Sequence, residues 1–174
     1  MAINRHGSIG WFSPDPRAII PLDEHFHLPH GLKRTLRKGR FGLCADTQFE
    51  AVIKACAATH GETWICPEIV DNYCALHELG FAHSIEVQLD DELVGGLYGV
   101  ALGGAFFGES MFHYATDASK VALVALVERL RARGFTLLDT QWTTPHLEQF
   151  GTLQIAKSEY VKILEKALTL QCTF

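Results

Sequence analysis

The feature that most constrains this chain is the order of elements between Gly108 and Gln141. The segment GESMFHYATDASK places the carboxylate of Glu109 in a predicted turn, GES, ahead of an apolar-patterned helix, and the strand LLDTQ follows that helix. The strand has the composition of a buried strand, yet it carries Asp139 and Gln141. Because burying a charged group without a partner is costly, the pattern predicts a hydrogen-bond network or a reactive site on this strand.

The rest of the sequence predicts a mixed α/β domain. Helical spacing of apolar residues and strand alternation predict helices at 47–59, 67–80, 117–133 and 157–170 and strands at 83–89, 93–100, 101–107 and 135–141. Two helices, a three-stranded meander, a long helix and a further strand favour an α/β (α+β), GNAT-like, mostly antiparallel sheet flanked by helices. We expect residues 1–46 to form a reduced, irregular N-terminal arm with one short helix, and residues 47–174 to form the main domain.

Five glycines interrupt the meander strands, namely Gly95, Gly96, Gly99, Gly103 and Gly104. Glycine inside a strand marks a bulge or the close approach of a ligand or another backbone. Two interpretations therefore stay open, a ligand lying against the sheet or a curved sheet with tight turns.

Cysteine and histidine usage argues against a disulfide framework and against a metal site. The five cysteines are dispersed without a CxxC pair, which predicts free thiols in a reducing, cytoplasmic compartment. The histidines, including the loop group His25, His27 and His30, fit no metal-binding motif, so we expect no metal. The chain also lacks a signal-peptide pattern and an apolar run of about 18 residues, so we expect no membrane partner.

The charge of the chain is unevenly distributed. The net charge is −5, yet the segment GLKRTLRKGRF has no acidic residue and carries Lys33, Arg34, Arg37, Lys38 and Arg40. Such a run is either a solvated helix face or a surface for a phosphate-rich partner.

Seven blocks of the sequence resemble one protein family. The blocks WFSPDPRA, TWI, LHELGFAHSIEV, ELVGGLYGVALGG, FFGESMF, DASK and LLDTQ lie between Trp11 and His146 and are similar to those of the bacterial leucyl/phenylalanyl-tRNA–protein transferases. The resemblance implies a GNAT-like domain that moves leucine or phenylalanine from aminoacyl-tRNA to an N-terminal Arg or Lys of a protein, which marks that protein for degradation. It also implies that no metal and no coenzyme A take part.

The resemblance implies roles for residues of this chain. Asp139 and Gln141 stand two positions apart on one strand, so we expect them on one face, where they would handle the acceptor amine and stabilise the tetrahedral intermediate. Glu109 would bind a cationic amine, Trp64 would stack on the terminal adenosine, and the basic run Lys33–Arg40 would contact tRNA phosphates. The residues that correspond to the family's apolar side-chain pocket are Leu97, Phe106, Leu123, Leu126 and Leu138, although periodicity alone also predicts them as plain core.

The chain departs from the family pattern at several places. The ten residues before Trp11 lack a GIFPW-like motif, Thr144 replaces the family's asparagine, QFGTLQIAK replaces SLGAxxIPR, and Phe81 stands where histidine is common. Three hypotheses therefore stay open: the transferase itself, a shortened paralogue with a different peptide or small-molecule acceptor, and a non-catalytic module that binds aminoacyl-tRNA or degrons. An acyl-CoA enzyme is disfavoured, because the turn before the long helix lacks the glycine-rich signature that cradles pyrophosphate. The sequence leaves the oligomeric state open.

Overall fold

The computed structural model describes residues 2–3, 9–10, 12–59 and 63–174, so Trp11 lies outside the described residues. The helices are α1 (His30–Arg37), α2 (Phe49–Thr59), α3 (Pro67–Glu78), α4 (Ala118–Ala132), α5 (Pro145–Glu148) and α6 (Lys157–Leu168). The strands are β1 (Ala2–Ile3), β2 (Ile9–Gly10), β3 (Arg17–Ile20), β4 (Gly42–Ala45), β5 (Ala82–Leu89), β6 (Glu92–Leu102), β7 (Ala105–His113), β8 (Leu137–Gln141) and β9 (Leu153–Ile155).

One mixed sheet of seven strands organises the fold. Its strand order is β4-β5-β6-β7-β8-β3-β9, and the short strands β1 and β2 pair separately with each other. Its neighbouring strands are antiparallel except for β7 and β8, which run parallel. Parallel strands need a long crossover connection, and α4 supplies it here. The predicted α/β fold with a mostly antiparallel, helix-flanked sheet is confirmed.

Helices cover the sheet through three apolar clusters. The long helix α4 packs on β5, β6 and β7, and its buried stripe includes Val121, Leu123, Val124, Val127 and Leu130. Helices α2 and α3 form a second cluster with β6, around Ile53, Tyr73 and Tyr98. Helix α6 packs on β7 and β8 through Tyr160 and Ala167.

The segment that holds Glu109 differs from the prediction. The sequence pattern predicts a turn at GES, whereas the structure places Glu109 in the middle of β7. A polar segment that contains glycine has no strand pattern in its sequence. Pairing with β6 nevertheless holds Gly108 and Ser110 in the strand. Helix α2 begins at Phe49, two residues after the predicted start, and Thr47 donates its hydroxyl to Glu86 at 3.0 Å.

Residues 17–45 are part of the main sheet. Strand β3 lies between β8 and β9, strand β4 forms one edge, and α1 is the short helix predicted near the basic run. One continuous sheet therefore crosses the domain boundary that the sequence predicts at residue 46. Strands of four residues are too short to show a clear alternation, which explains why the sequence does not predict β3 and β4.

Close backbone packing accounts for two glycines of the meander. A Cβ at Gly95 would lie 2.5 Å from the Cβ of Ala118 at the start of α4. A Cβ at Gly99 would overlap the carbonyl oxygen of Phe107 and the ring of Phe106. At these two positions the structure favours the curved, closely packed sheet over a ligand as the reason for glycine.

The cysteines are free thiols, as the sequence predicts. Across the described ranges, no helix is both long enough and apolar enough to cross a membrane. In the same ranges, one group of three potential metal ligands has its ligand atoms within 4.8 Å of one another, and it consists of the exposed residues Asp23, Glu24 and His25.

Candidate functional site

A cavity opens where the two parallel strands separate. Strands β7 and β8 pair only through Ala105–Phe107 and Leu137–Asp139, and β7 then continues to His113. The gap leads into a cavity of about 550 Å³ that is lined by residues of β6, β7, β8, α4 and α5. Ligand sites are common where neighbouring strands diverge and leave a concave, mostly apolar space.

A β-bulge turns Glu109 into this cavity. Tyr98 pairs with Ser110, and Gly99 pairs with Gly108, so Glu109 is the extra residue in β7. A bulge commonly re-aims a side chain next to a functional site, and Glu109 lines the cavity. Burial raises the pKa of its carboxyl, and the neighbouring Tyr73 hydroxyl opposes part of that shift. A carboxylate with a raised pKa is a better proton acceptor than an exposed one.

Gln141 lines the same cavity from the end of β8. Its φ is +59°, a left-handed conformation that costs a non-glycine residue about 1–3 kcal/mol. The β3–β8 register also skips Thr140, because Ile19 pairs with Asp139 and Ala18 pairs with Gln141. The irregular register and the left-handed backbone explain why the Gln141 side chain reaches the cavity.

Asp139 lies fully buried outside the cavity lining. Arg17 binds both carboxylate oxygens, with Nε 3.0 Å from Oδ1 and Nη2 2.6 Å from Oδ2. The Tyr160 hydroxyl donates to Oδ2 at 2.7 Å, and the backbone N–H of Gln141 donates to Oδ1 at 2.8 Å. The prediction that Asp139 and Gln141 project from one face is therefore wrong, because the irregularity at Thr140 interrupts the strand alternation.

The partners of Asp139 are held in the protonation states that favour this network. Burial lowers the pKa of Arg17, but the hydrogen bond and the charge of Asp139 outweigh burial and raise that pKa overall. Burial, followed by the hydrogen bond to Asp139, raises the pKa of Tyr160. Arg17 thus stays cationic and Tyr160 stays a neutral donor. The network predicted at this strand is present, and it holds the peptide N–H of Gln141.

Four of the leucines predicted for the apolar pocket line the cavity, namely Leu97, Leu123, Leu126 and Leu138. The fifth predicted residue, Phe106, does not line it. Phe106 is fully buried, and its ring stacks on Phe174 with centroids 5.3 Å apart. Met111 and Leu147, which the sequence does not predict, complete the apolar wall. Neither residue stands in a helical or alternating pattern that would distinguish it from core.

Trp64 lines the cavity on the side of α3. Its ring packs edge-on against Tyr73, with centroids 6.4 Å apart. Tyr98 lies next to Tyr73, with centroids 5.4 Å apart, and its buried hydroxyl has no hydrogen-bond partner among the described residues. This aromatic group therefore gives the cavity a second wall, behind which the Tyr98 hydroxyl is buried.

The cavity wall also contains a polar group that the sequence does not predict, formed by His113, Ser119 and His146. Ser119 Oγ lies 3.4 Å from His113 Nδ1, and His146 Nε2 is buried without a partner in the described part of the chain. Burial lowers the pKa of His146, and the charges of Lys120 and His113 add to that shift. No local sequence pattern brings these three residues together, since they come from β7, α4 and α5.

The basic residues Lys33, Arg34, Arg37, Lys38 and Arg40 lie on α1 and the loop after it, and all are exposed. Helix α1 lies beside the start of α4, where Thr35 donates its hydroxyl to Asp117 at 3.0 Å. Ser119, two residues further along, is part of the cavity wall. The basic run therefore lies on the side of the cavity formed by the start of α4, although 82 residues separate Thr35 from Asp117 in the sequence.

Comparison with known proteins relates this architecture to one family. The family model described as leucyl/phenylalanyl-tRNA protein transferase matches residues 19–165. The leucyl/phenylalanyl-tRNA–protein transferase of Akkermansia muciniphila is 58% identical over 173 residues, which are 98% of this chain and 90% of that protein.

Of two solved structures that match, the first is similar in fold and the second has a lower TM-score. L-PGS from Bacillus licheniformis has a TM-score of 0.52 at 12% identity, covering 88% of this chain and 52% of that one. An aminoglycoside acetyltransferase from an uncultured soil metagenomic sample has a TM-score of 0.48 at 10% identity, covering 74% of this chain and 88% of that one. At such identities the likeness concerns the fold alone.

Proposed function

Because the chain belongs to the leucyl/phenylalanyl-tRNA protein transferase family, we propose that it moves a leucyl or phenylalanyl group from tRNA to the α-amine of an N-terminal Arg or Lys. The observation that carries this proposal is the cavity between β7 and β8. It combines an apolar wall with one carboxylate, Glu109, and one amide, Gln141. The free cysteines and the tRNA donor support a cytoplasmic location.

The apolar wall suits the side chain of the donor amino acid. A Leu or Phe side chain would lie against Leu97, Leu123, Leu126 and Leu138, where apolar area is removed from water. Trp64 would stack on the terminal adenosine, an interaction on the order of 1–3 kcal/mol for a base on an aromatic ring. The volume of about 550 Å³ lies in the range of small-molecule sites.

The reaction needs positioning and proton transfer more than a strong nucleophile. The ester of aminoacyl-tRNA is already activated, so a neutral amine held close to it can attack. The amine nitrogen forms the new N–C bond, the ester C–O bond breaks, and the proton lost by the nitrogen passes to the departing ribose oxygen. Before the attack, the acceptor is an ammonium and has to lose one proton. Glu109, with its raised pKa, takes this proton and so produces the neutral amine.

Gln141 and Asp139 have different roles in this proposal. Gln141 contacts the reacting atoms, and its amide stabilises the negative oxygen of the tetrahedral intermediate. Asp139 is a positioning residue, because it accepts the N–H of Gln141 while Arg17 and Tyr160 hold its carboxylate. The catalytic role that the resemblance gives to Asp139 would thus be exerted through Gln141.

The proposal is tested by incubating the protein with a mixture of labelled aminoacyl-tRNAs and a peptide that begins with Arg. We expect the label to enter the peptide from leucyl- and phenylalanyl-tRNA, at a rate above the spontaneous hydrolysis of the ester. Binding of charged tRNA without any product would contradict an enzyme and support the binding module. Transfer to small amines but to no peptide would support the paralogue with another acceptor.

The basic run is expected to bind the tRNA backbone through phosphates. Replacing Lys33, Arg34 and Arg37 with glutamine should weaken tRNA binding and reduce the slope of log K against log salt by up to about 3, since each phosphate contact contributes somewhat less than one. Titration of tRNA at several salt concentrations measures the slope. Lys162→Gln with Lys166→Gln, two exposed lysines of α6, is the control, and an equal effect there would rule out a specific role for α1.

A further inference from the structure

A second cavity lies beside the first one. It has a volume of about 310 Å³ and is formed by the loop before β3 together with residues of β3, β9 and the loop after β8. Trp142 is part of the wall of both cavities. Trp142 directly follows Gln141 in the chain, and Gln141 lines the first cavity. The second cavity therefore lies next to the proposed reaction site.

Strand pairing fixes how far the two cavities are apart. Ala18, which lines the second cavity, pairs with Gln141 on one side and with Gln154 on the other. Paired antiparallel residues lie about 5 Å apart, so Gln154 is about 10 Å from Gln141 across the sheet. An extended arginine side chain reaches about 7 Å from its Cα. Ala18, on the near wall of the second cavity, is one strand spacing from Gln141, so the side chain of an amine held at Gln141 is long enough to enter this cavity from that side.

The groups around the second cavity suit a cation with several hydrogen-bond donors. Asp15 offers a carboxylate, whose Oδ1 accepts the backbone N–H of Lys157 at 3.1 Å, and the flanking Pro14 and Pro16 restrict the backbone that carries it. Trp142 is 49% exposed, and its indole offers a face for a cation–π contact. The buried Thr143 Oγ1 has no hydrogen-bond partner among the described residues.

The nearby cation Arg17 does not neutralise Asp15. Arg17 stands two residues after Asp15, but its guanidinium is engaged by Asp139 at 2.6 Å. The carboxylate of Asp15 is therefore available to a ligand. A guanidinium or an ammonium would gain a charge-assisted hydrogen bond there, whereas an apolar side chain of similar length would not.

We propose that the second cavity binds the side chain of the acceptor's N-terminal residue and selects arginine or lysine through Asp15 and Trp142. This inference rests on the proposed transfer function and deepens it. The first cavity then receives the donor group, and the second one recognises the residue to which that group is joined.

Transfer to three peptides that differ only in their first residue tests this inference. The first residues are Arg, Lys and citrulline, which has the shape of arginine without its charge. With the wild-type protein we expect KM for the citrulline peptide to be about tenfold higher than for the Arg peptide. In Asp15→Asn this preference should disappear, while KM for the aminoacyl-tRNA stays unchanged.

Asparagine keeps an oxygen that can accept the N–H of Lys157, so Asp15→Asn is expected to fold. Trp142→Leu is a second variant, and it should raise KM for the Arg peptide. Asp23→Asn, an exposed carboxylate elsewhere, is the matched control and should change neither KM. Retention of the Arg preference in Asp15→Asn would overturn the inference while leaving the transfer function intact. Absence of transfer to any acceptor by the wild-type protein would overturn the proposed function and this inference with it.

Discussion

Asp139→Asn is expected to lower the free energy of unfolding by about 3 kcal/mol, at the low end of the cost of breaking a buried ion pair. The carboxylate is fully buried, and the Arg17 side chain is 14% exposed. Asparagine has nearly the same shape but no charge, so the guanidinium would stay in place without its counter-ion. Urea unfolding, followed by circular dichroism, measures the effect. Transfer should fall as well, because the N–H of Gln141 loses its charged acceptor.

A double-mutant cycle separates this explanation from a general loss of packing. If the unpaired guanidinium causes the destabilisation, Arg17→Met combined with Asp139→Asn should be less destabilised than the sum of the two single variants. Additive effects would show that the ion pair is not the cause. Asp23→Asn, which removes an exposed carboxylate that contacts His25, should change stability by less than about 0.5 kcal/mol.

Gln141→Gly is expected to reduce the rate of aminoacyl transfer by about a hundredfold, the usual cost of removing one donor to an oxyanion. The same substitution should leave the free energy of unfolding unchanged or raise it by about 1 kcal/mol, because glycine adopts a positive φ without the steric penalty. Single-turnover transfer and urea unfolding measure the two effects on one protein sample. A variant that is at least as stable but much slower would separate function from folding at this position.

Gln141→Ala serves as the second variant, since alanine keeps the steric penalty at φ +59° while losing the amide. We expect the same loss of transfer without the gain in stability. Gln88→Ala, in β5 and outside the cavity lining, is the control for loss of a glutamine. Transfer within threefold of wild type in both Gln141 variants would remove Gln141 from the mechanism.

Sequence patterns located only a part of the candidate site, namely residues that belong to a local motif or to a local periodicity. Leu123 and Leu126 stand on one helical stripe, and Leu97 and Leu138 stand on apolar strands, so their burial followed from the pattern. Phe106 shows the limit of this reasoning. It is also an apolar residue of a strand, but its ring packs against Phe174, which is far away in the sequence. Which apolar residue lines a cavity depends on distant packing, and no local pattern encodes it.

The polar partners of Asp139 show the same limit. Arg17 and Tyr160 lie 122 and 21 residues from Asp139 in the sequence. Each stands in a segment with a plausible local explanation, a proline-rich turn for Arg17 and an amphipathic helix for Tyr160. The need for a partner followed from the burial of a carboxylate, but the identity of the partner required the position of β3 beside β8.

The sequence by itself determined the fold class, the helices α2, α3, α4 and α6, the strands β5 and β8, and the family, because these follow from apolar periodicity and from contiguous motifs. Only the tertiary structure decided that Asp139 and Gln141 face different sides of the sheet and that Glu109 projects from a bulge. It alone placed the two cavities next to each other. The physical reason is that bulges, register and the separation of β7 from β8 arise from hydrogen bonding between strands that are far apart in the chain.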